Sequence, residues 1–583
     1  MVQGKYVDAA VRKIYWERVT VHIEMDVDDH RSIKKPNMFE FFLLNEDYKS
    51  VAKFQKQEVS PGKYHLWMNV TNPGNCRCLP AGSYRCYLFE SGYVMAKCMV
   101  LPEMIPELEN ASRSFLHNNR GRAYVITFSI SEGEEDLPFF IHVMDSAKVP
   151  IGPETGLQIA KSVFWEPLVK LKKNIGRMFW KSVYAICKLR YRYSEHTLLF
   201  MTEQGDTLGA NLTAVIKRLK ERGLDSEYKI LTSARPASYV RPSKLSNWRL
   251  IRKIAKSKYI FLDDHAPILD WLQIRDFSKV IQLWHAGAGF KSSGYSRWGH
   301  PGCPPPFSCH RQYLYGIAGS KHIAKFFAEV FGINEAQILP TGMPRMDEYL
   351  DPEYQKEKRE QLYQEYPVCR GRKVILFAPT YRGRGRKDAM YPYEMIDFER
   401  LYDFCEEEDY VVLFKMHPWV QEPVPIEEDY DNLFIDVNKY PNINDLFYIT
   451  DILITDYSSN IFEFSLMRKP MLFFAFDKLQ YSLSRGFHRD YEEAAPGKVC
   501  YNFDELMNAL EQEDYEYEKV EKYIDLHFDH IDCHASDRVI DWIILEEVPL
   551  ELFQARIAWK DLYRRMGDMN MDMLRRLEEG EEV

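Results

Sequence analysis

The sequence predicts an α/β protein with two parallel, doubly wound sheets in series, preceded by a smaller β-rich module. Three observations carry this expectation. After about residue 195, short runs such as "TLLFM", "KYIFLDD", "KVILFAPT" and "DILITDYSS" are apolar throughout and alternate with helical stretches, the pattern of strands buried on both faces. Before about residue 150 the strand-like segments instead alternate apolar and polar residues between turn clusters such as "NPGN" and "PAGS". A charged stretch, "DPEYQKEKREQLYQEYP", divides the apolar runs into two sets.

In order along the chain, residues 1–150 are expected to form the β-rich module, a small sandwich with strands at 19–25, 39–44, 64–70, 84–89 and 123–130. Residues 151–194 read as a basic amphipathic helical linker. Between 161 and 192 there are nine Lys or Arg and one acid, Glu166. Phe164, Leu168, Leu171, Ile175, Met178 or Phe179, Val183 and Ile186 recur there at helical spacing, with Trp165 and Trp180 beside them. Such a helix can lie on an anionic membrane surface or pack its stripe on a neighbouring domain. Residues 195–360 and 361–545 are the two α/β halves, and 546–583 a charged helical tail.

The bulk properties exclude several classes. A chain of 583 residues with 46% hydrophobic and 14% aromatic residues has ample core material, and a net charge of −10 argues against a general nucleic-acid binder. The eleven cysteines are scattered without zinc-finger spacing, as expected of reduced cytosolic thiols. The first residues lack the apolar stretch of a signal peptide and no run approaches a membrane span, so a cytoplasmic protein is expected.

Ligands of parallel sheets sit at the carboxyl ends of strands. In the second half those ends read "FAPTYRGRGR", "FKMHPWV" and "ITDYSSN", which bring Thr380, Arg382, His417, Asp456, Ser458 and Ser459 toward one cleft. Two serines before a helical stretch and a guanidinium nearby suit a phosphate or diphosphate. In the first half His285 closes "KVIQLWH", followed by glycines and by Lys291, a possible phosphate contact. A histidine near its ordinary pKa can take a proton from a hydroxyl at neutral pH. Asp263, Asp264 and His265 are read as a strand end with a cap, and Cys303, Cys309 and His310 as too few ligands for zinc.

Taken together, the blocks "QLWHAGAGFKSSG", "GSKHIAKFFAEVFGI", "PTGMPRMD", "FAPTYRG", "FKMHP", "TDYSSNIFEFSLMRKPMLFF" and "RGFHRDYEEAAPG" resemble, in order, the CDP-glycerol glycerophosphotransferase family of teichoic-acid and related polyol-phosphate polymerases and primases. The resemblance runs from about residue 200 to about residue 545. It implies a GT-B fold of two Rossmann-like halves facing a cleft, with His285 as base and His417 as a second essential histidine. It also places Thr380, Arg382, Asp456, Ser458, Ser459, Arg485 and Asp490 at the donor diphosphate. The substrates implied are CDP-glycerol or CDP-ribitol and a lipid-linked polymer acceptor, with no cofactor beyond them. A lipid-linked acceptor would give the basic helix a purpose on the inner face of the cell membrane. Many members read W-H-G-T-P-L-K where this chain has "WHAGAGFK", a variant of the ribitol-like branch, and this leaves the polyol open. Two other readings remain: a GT-B sugar transferase using a nucleotide sugar, and a non-catalytic binding or assembly protein.

Overall fold

In the computed structural model of the chain, the described residues are 7–31, 39–45, 51–74, 76–91, 93–117, 122–130, 137–146, 166–191, 194–238, 240–274, 278–287, 290–300, 303–383 and 385–554. Among them, eleven strands between Val7–Glu17 and Phe139–Ser146 make up the β-rich module. The expected sandwich takes the form of one continuous hydrogen-bonded path. Tyr93–Val100 pairs parallel with Val7–Glu17 on one side and antiparallel with Gly82–Glu90 on the other, joining the two leaves. Alternating residues of both leaves, Val21, Ile23, Phe41, Leu43, Tyr84 and Phe139 among them, fill one core.

The two α/β halves follow the expected pattern. In the first, the strands stand in the order Lys229–Ala234, Ser194–Thr202, Ser257–Leu262, Lys279–Gln282, Tyr313–Ile317 and Ile338–Leu339, all parallel. In the second the order is Phe434–Asp436, Tyr410–Phe414, Lys373–Phe377, Ile452–Thr455, Met471–Phe474 and Lys498–Cys500, again parallel. Numbered along the chain, the second sheet runs 3-2-1-4-5-6. Its order therefore reverses between Lys373–Phe377 and Ile452–Thr455, where connections leave to opposite faces and open a crevice at the carboxyl ends. The central strands are apolar along their length because helices cover both faces: Leu198 to Met201, Ile260 to Leu262, Val411 to Phe414 and Leu472 to Phe473 are all fully buried.

The charged seam is the helix Pro352–Glu365. Asp351 caps it by accepting from Glu353 N and Tyr354 N, proline opens its first turn, and Leu362 is its only buried side chain. The basic segment is the helix Glu166–Arg190. Its C-terminal half packs through Tyr184, Cys187, Trp180 and Val183 onto the first α/β half, near the helix Lys244–Lys256. Its N-terminal half does not: Leu168, Leu171, Ile175, Met178 and Phe179 are each more than half exposed. The expected continuation through Phe164 and Trp165 lies outside the described residues, as does the tail from residue 555. All eleven cysteines are free.

A single loop ties the three parts together. Phe290 inserts among Phe473 and Tyr491 of the second half, and Ser292 N donates to Gly486 O at 3.1 Å while His488 N donates to Phe290 O at 2.6 Å. A few residues on, Tyr295 and Trp298 are buried in the β-rich module's core, Trp298 stacking on Phe115 and His117. The module is thus anchored to the loop that follows His285.

Candidate functional site

His285 lies three residues beyond the strand Lys279–Gln282, and the backbone that delivers it is strained. Trp284 has φ +50, a left-handed conformation that a bulky residue adopts only when its surroundings impose it. The imposing groups are polar and buried. Gln282 Oε1 accepts from Trp284 N at 2.9 Å, and Asn211 Nδ2 donates to Leu283 O and Trp284 O at 2.9 Å each. The turn aims His285 into the space between the halves with its side chain 56% exposed. Its Nδ1 faces Asp263 O at 3.2 Å and Asp264 Oδ2 at 3.4 Å, which leaves Nε2 directed at the cleft. The close approach that the following glycines allow is to protein: a Cβ on Gly287 would lie 2.4 Å from the Phe462 ring of the second half.

Opposite His285, the second half presents a layered polar site. Deepest is Asp456, 1% exposed, which accepts from Thr380 N at 2.8 Å, Thr380 Oγ1 at 2.9 Å, Tyr457 N at 2.5 Å and Arg382 NH1 at 2.8 Å. The Arg382 fork is spent on protein groups. Nε and NH2 donate to Asp477 at 2.6 and 2.8 Å, and NH1 also donates to Thr380 O at 2.8 Å. Sequence alone suggested this guanidinium for phosphate; here it clamps two carboxylates that end neighbouring strands. The serines differ from each other. Ser458 is buried and accepts from Asn460 N at 3.3 Å, whereas Ser459 is exposed in the cleft. The helix they precede, Ile461–Ser465, is short.

His417 is half-buried and its Nδ1 accepts from Trp419 N at 3.2 Å. Burial, with the nearby Lys291 ammonium, pulls its pKa down to about 4, so the ring is neutral at pH 7 and Nε2 carries the proton. Tyr381 joins His417 to Arg485: its ring lies 4.7 Å from the His417 ring and its hydroxyl accepts from Arg485 NH2 at 2.8 Å. Lys291 reaches this cluster from the first half. Burial lowers its pKa to about 8; the Asp456 charge opposes that shift, and Arg485 and Arg382 add to it. Asp490 is exposed and caps the helix Tyr491–Ala494 by accepting from Glu493 N at 3.0 Å.

Two cavities meet at this point. One of about 240 Å³ is lined by His285, Lys291, Tyr457, Ser459 and His488, and one of about 270 Å³ by Asn211, Asp263, His285, Arg345, Ser459 and Glu463. His285 and Ser459 border both. The structure therefore brings together His285, Lys291 and Ser459, with His417 and Arg485 in the adjoining cluster, and it sets Thr380, Arg382 and Asp456 behind them as a scaffold. Sequence reasoning missed Asn211, Tyr381 and Asp477. A buried asparagine opening a helix and an aspartate ending "FFAFD" were the only signals of two of them. Away from the cleft, Asp270 Oδ1 accepts from His265 Nε2 at 2.9 Å and Cys309 N at 2.8 Å, and Asp263 caps the helix Ala210–Glu221 through Gly209 N at 2.9 Å.

Two parallel sheets whose carboxyl ends border a polar cleft, lined by His285 and Lys291 from the first half and by Ser459 from the second, define the chain as an α/β protein with two doubly wound halves. Residues 183–545 match the family described as CDP-Glycerol:Poly(glycerophosphate) glycerophosphotransferase, and the chain belongs to that family of transferases. Among its relatives, the teichoic acid ribitol-phosphate polymerase TarL of Staphylococcus aureus is 39% identical over 63% of this chain and 66% of its own length. TarK of the same organism, also a teichoic acid ribitol-phosphate polymerase, is 37% identical over 72% of this chain and 81% of its own. A teichoic acid poly(ribitol-phosphate) polymerase of Bacillus spizizenii is 38% identical over 61% of this chain and 57% of its own length. The chain thus spans less than two thirds of the first and third of these. A structure of the wall teichoic acid polymerase TagF superposes with a TM-score of 0.51 at 22% identity, covering 68% of this chain and 99% of that one, and shares the fold.

Proposed function

We propose that the chain transfers a polyol phosphate from a CDP-polyol, ribitol before glycerol, to a hydroxyl of a teichoic-acid-type polymer, with release of CMP. The observation that carries this reading is the cavity of about 240 Å³ with His285 and Lys291 from the first half and Ser459 on the wall formed by the second. In this reading the two halves are the Rossmann-like lobes of a GT-B enzyme, residues 195–360 on the acceptor side and 361–545 on the donor side. The acceptor hydroxyl gives its proton to His285 Nε2 and attacks the polyol-bearing phosphorus. One P–O bond forms as the bond to CMP breaks, and the product is a phosphodiester. Lys291, the His417 Nε2–H, Ser459 and Arg485 face the diphosphate, so that catalysis rests on orientation and fixed charge. Thr380, Asp456 and Arg382 hold that wall in place. Ribitol comes first because the relatives at 37 to 39% identity carry ribitol in their names, whereas two glycerol-phosphate primases stand at 31% and 29%. Phosphorus NMR of the reaction with each CDP-polyol tests the proposal. A growing phosphodiester signal with CDP-ribitol supports it, and turnover of a nucleotide sugar in place of both CDP-polyols contradicts it.

Lys291 gives the reaction a pH signature. A lysine with a pKa of about 8 is cationic below that value and neutral above it, so attraction for the donor diphosphate falls as pH rises through about 8. The KM for the CDP-polyol rises over that range in the native enzyme and stays level in Lys291→Arg, whose side chain keeps its charge.

The exposed half of the helix Glu166–Arg190 is proposed to rest on the anionic inner leaflet, where a lipid-linked acceptor would be presented. No described helix is long and apolar enough to cross a membrane. Lys172, Lys173, Arg177 and Lys181 accompany its exposed apolar residues, and each basic residue near such a surface adds about 1 kcal/mol. Binding to vesicles containing anionic lipid is expected to weaken as salt rises to about 0.5 M, where charge attraction is screened within a few ångströms. Salt-independent binding, or none, removes this role.

A further inference from the structure

Glu329, on the helix Ala324–Phe331, stands where the three parts of the molecule meet. From the β-rich module comes Arg18, at the turn between Val7–Glu17 and Thr20–Asp29, whose Nε and NH2 grip the two carboxylate oxygens at 2.9 and 3.2 Å. From the second half comes His488, with Nε2 3.4 Å from Glu329 Oε1. His488 is 1% exposed, its Nε2 faces only the Glu329 carboxylate, its Nδ1 has no hydrogen-bond partner among the described residues, and the residue lines the cavity that holds His285, Lys291 and Ser459. A buried nitrogen left without a partner is costly, and at the edge of a cavity a ligand's hydroxyl can supply that partner.

The charge states agree. Glu329 is held down to about 2: burial opposes the shift, but His488 and Arg18 outweigh it, so it is ionised at neutral pH. Burial keeps His488 below the ordinary histidine value. A neutral imidazole has one donor and one acceptor nitrogen. The carboxylate selects Nε2 as the donor, which leaves the Nδ1 lone pair for a hydroxyl. We propose that His488 is a substrate-contacting residue whose Nδ1 accepts a hydrogen bond from a hydroxyl of the donor polyol, and that Arg18 of the β-rich module, acting through Glu329, is the positioning residue that fixes its ring. The module is then part of the active site's support. A ligand rich in hydroxyls is the class such an acceptor selects, and this inference rests on the CDP-polyol reading above.

The test uses the full chain. In steady-state CMP release, His488→Ala is expected to raise the KM for the CDP-polyol about tenfold, the worth of one hydrogen bond in a buried site. His488→Asn, which puts an amide oxygen close to the Nδ1 position, keeps KM within about threefold, and His488→Gln does not. Arg18→Met raises KM about threefold with kcat retained, a split that a purely structural loss does not produce. Histidine-labelled nitrogen NMR supplies a readout independent of turnover: the His488 Nδ1 resonance moves when CDP-ribitol is added. An unchanged KM in His488→Ala with an unmoved resonance, the outcome for a ring that meets only water, overturns the inference. Absence of CMP release by the native protein with a moved resonance overturns the reaction proposed above and leaves the contact standing.

Discussion

Replacing His285 by alanine lowers turnover by about two to four orders of magnitude, the range a positioned general base contributes, while the melting temperature stays near that of the native protein. The second half of that expectation follows from exposure. The ring projects into the cleft with its side chain 56% exposed, and among the described residues its one ring contact is the tilted Trp284 ring at 4.5 Å, so its removal leaves no buried cavity. The strained turn behind it is held by Asn211 and Gln282, which the substitution leaves in place. Kinetics in parallel with thermal unfolding check both. A His285→Ala protein that turns over at the native rate removes the base from the mechanism.

Arg382→Met is expected to act in the opposite way, through the fold. Asp456 and Asp477 stand 1% and 15% exposed around the guanidinium, and removing one member of a buried ion network leaves uncompensated charge, at a cost of about 3–5 kcal/mol. Denaturant unfolding measures this directly. Activity falls as well, because Asp456 is the acceptor that holds Thr380 and the backbone before Ser458. Were Arg382 a phosphate contact, the same substitution would raise the donor KM with stability unchanged, so the two roles separate cleanly.

These two residues also show how far the sequence could be read. The repeat of apolar runs and polar strand ends was enough to place two parallel sheets and to collect His285, His417, Ser459 and Lys291 near one cleft, because strand burial and the position of strand ends are local properties of the chain. Partnership is not local. Arg382 in "APTYRG" looks like a free fork until the fold brings Asp477, 95 residues later, within 2.6 Å. Tyr381 carries no signal of its own, yet it links His417 to Arg485. In the β-rich module the alternation located five strands, but Gln55–Ser60 and Val51–Lys53 were too short or too polar to stand out. Nothing in the segment after His285 announced that Tyr295 and Trp298 would complete the core of a different part of the molecule. The basic helix was legible as amphipathic, and its division into a packed half and an exposed half depended on where its neighbour ends.

The central claim is that the cleft between the halves moves a polyol phosphate onto a hydroxyl under the action of His285. Acceptor-dependent CMP release, measured for the native protein and for His285→Ala with CDP-ribitol, CDP-glycerol and a UDP-sugar in parallel, tests it most directly. The account predicts release from a CDP-polyol, CDP-ribitol foremost, that requires acceptor and is lost in the variant. Release that persists undiminished in His285→Ala, or that occurs only with the UDP-sugar, would contradict it.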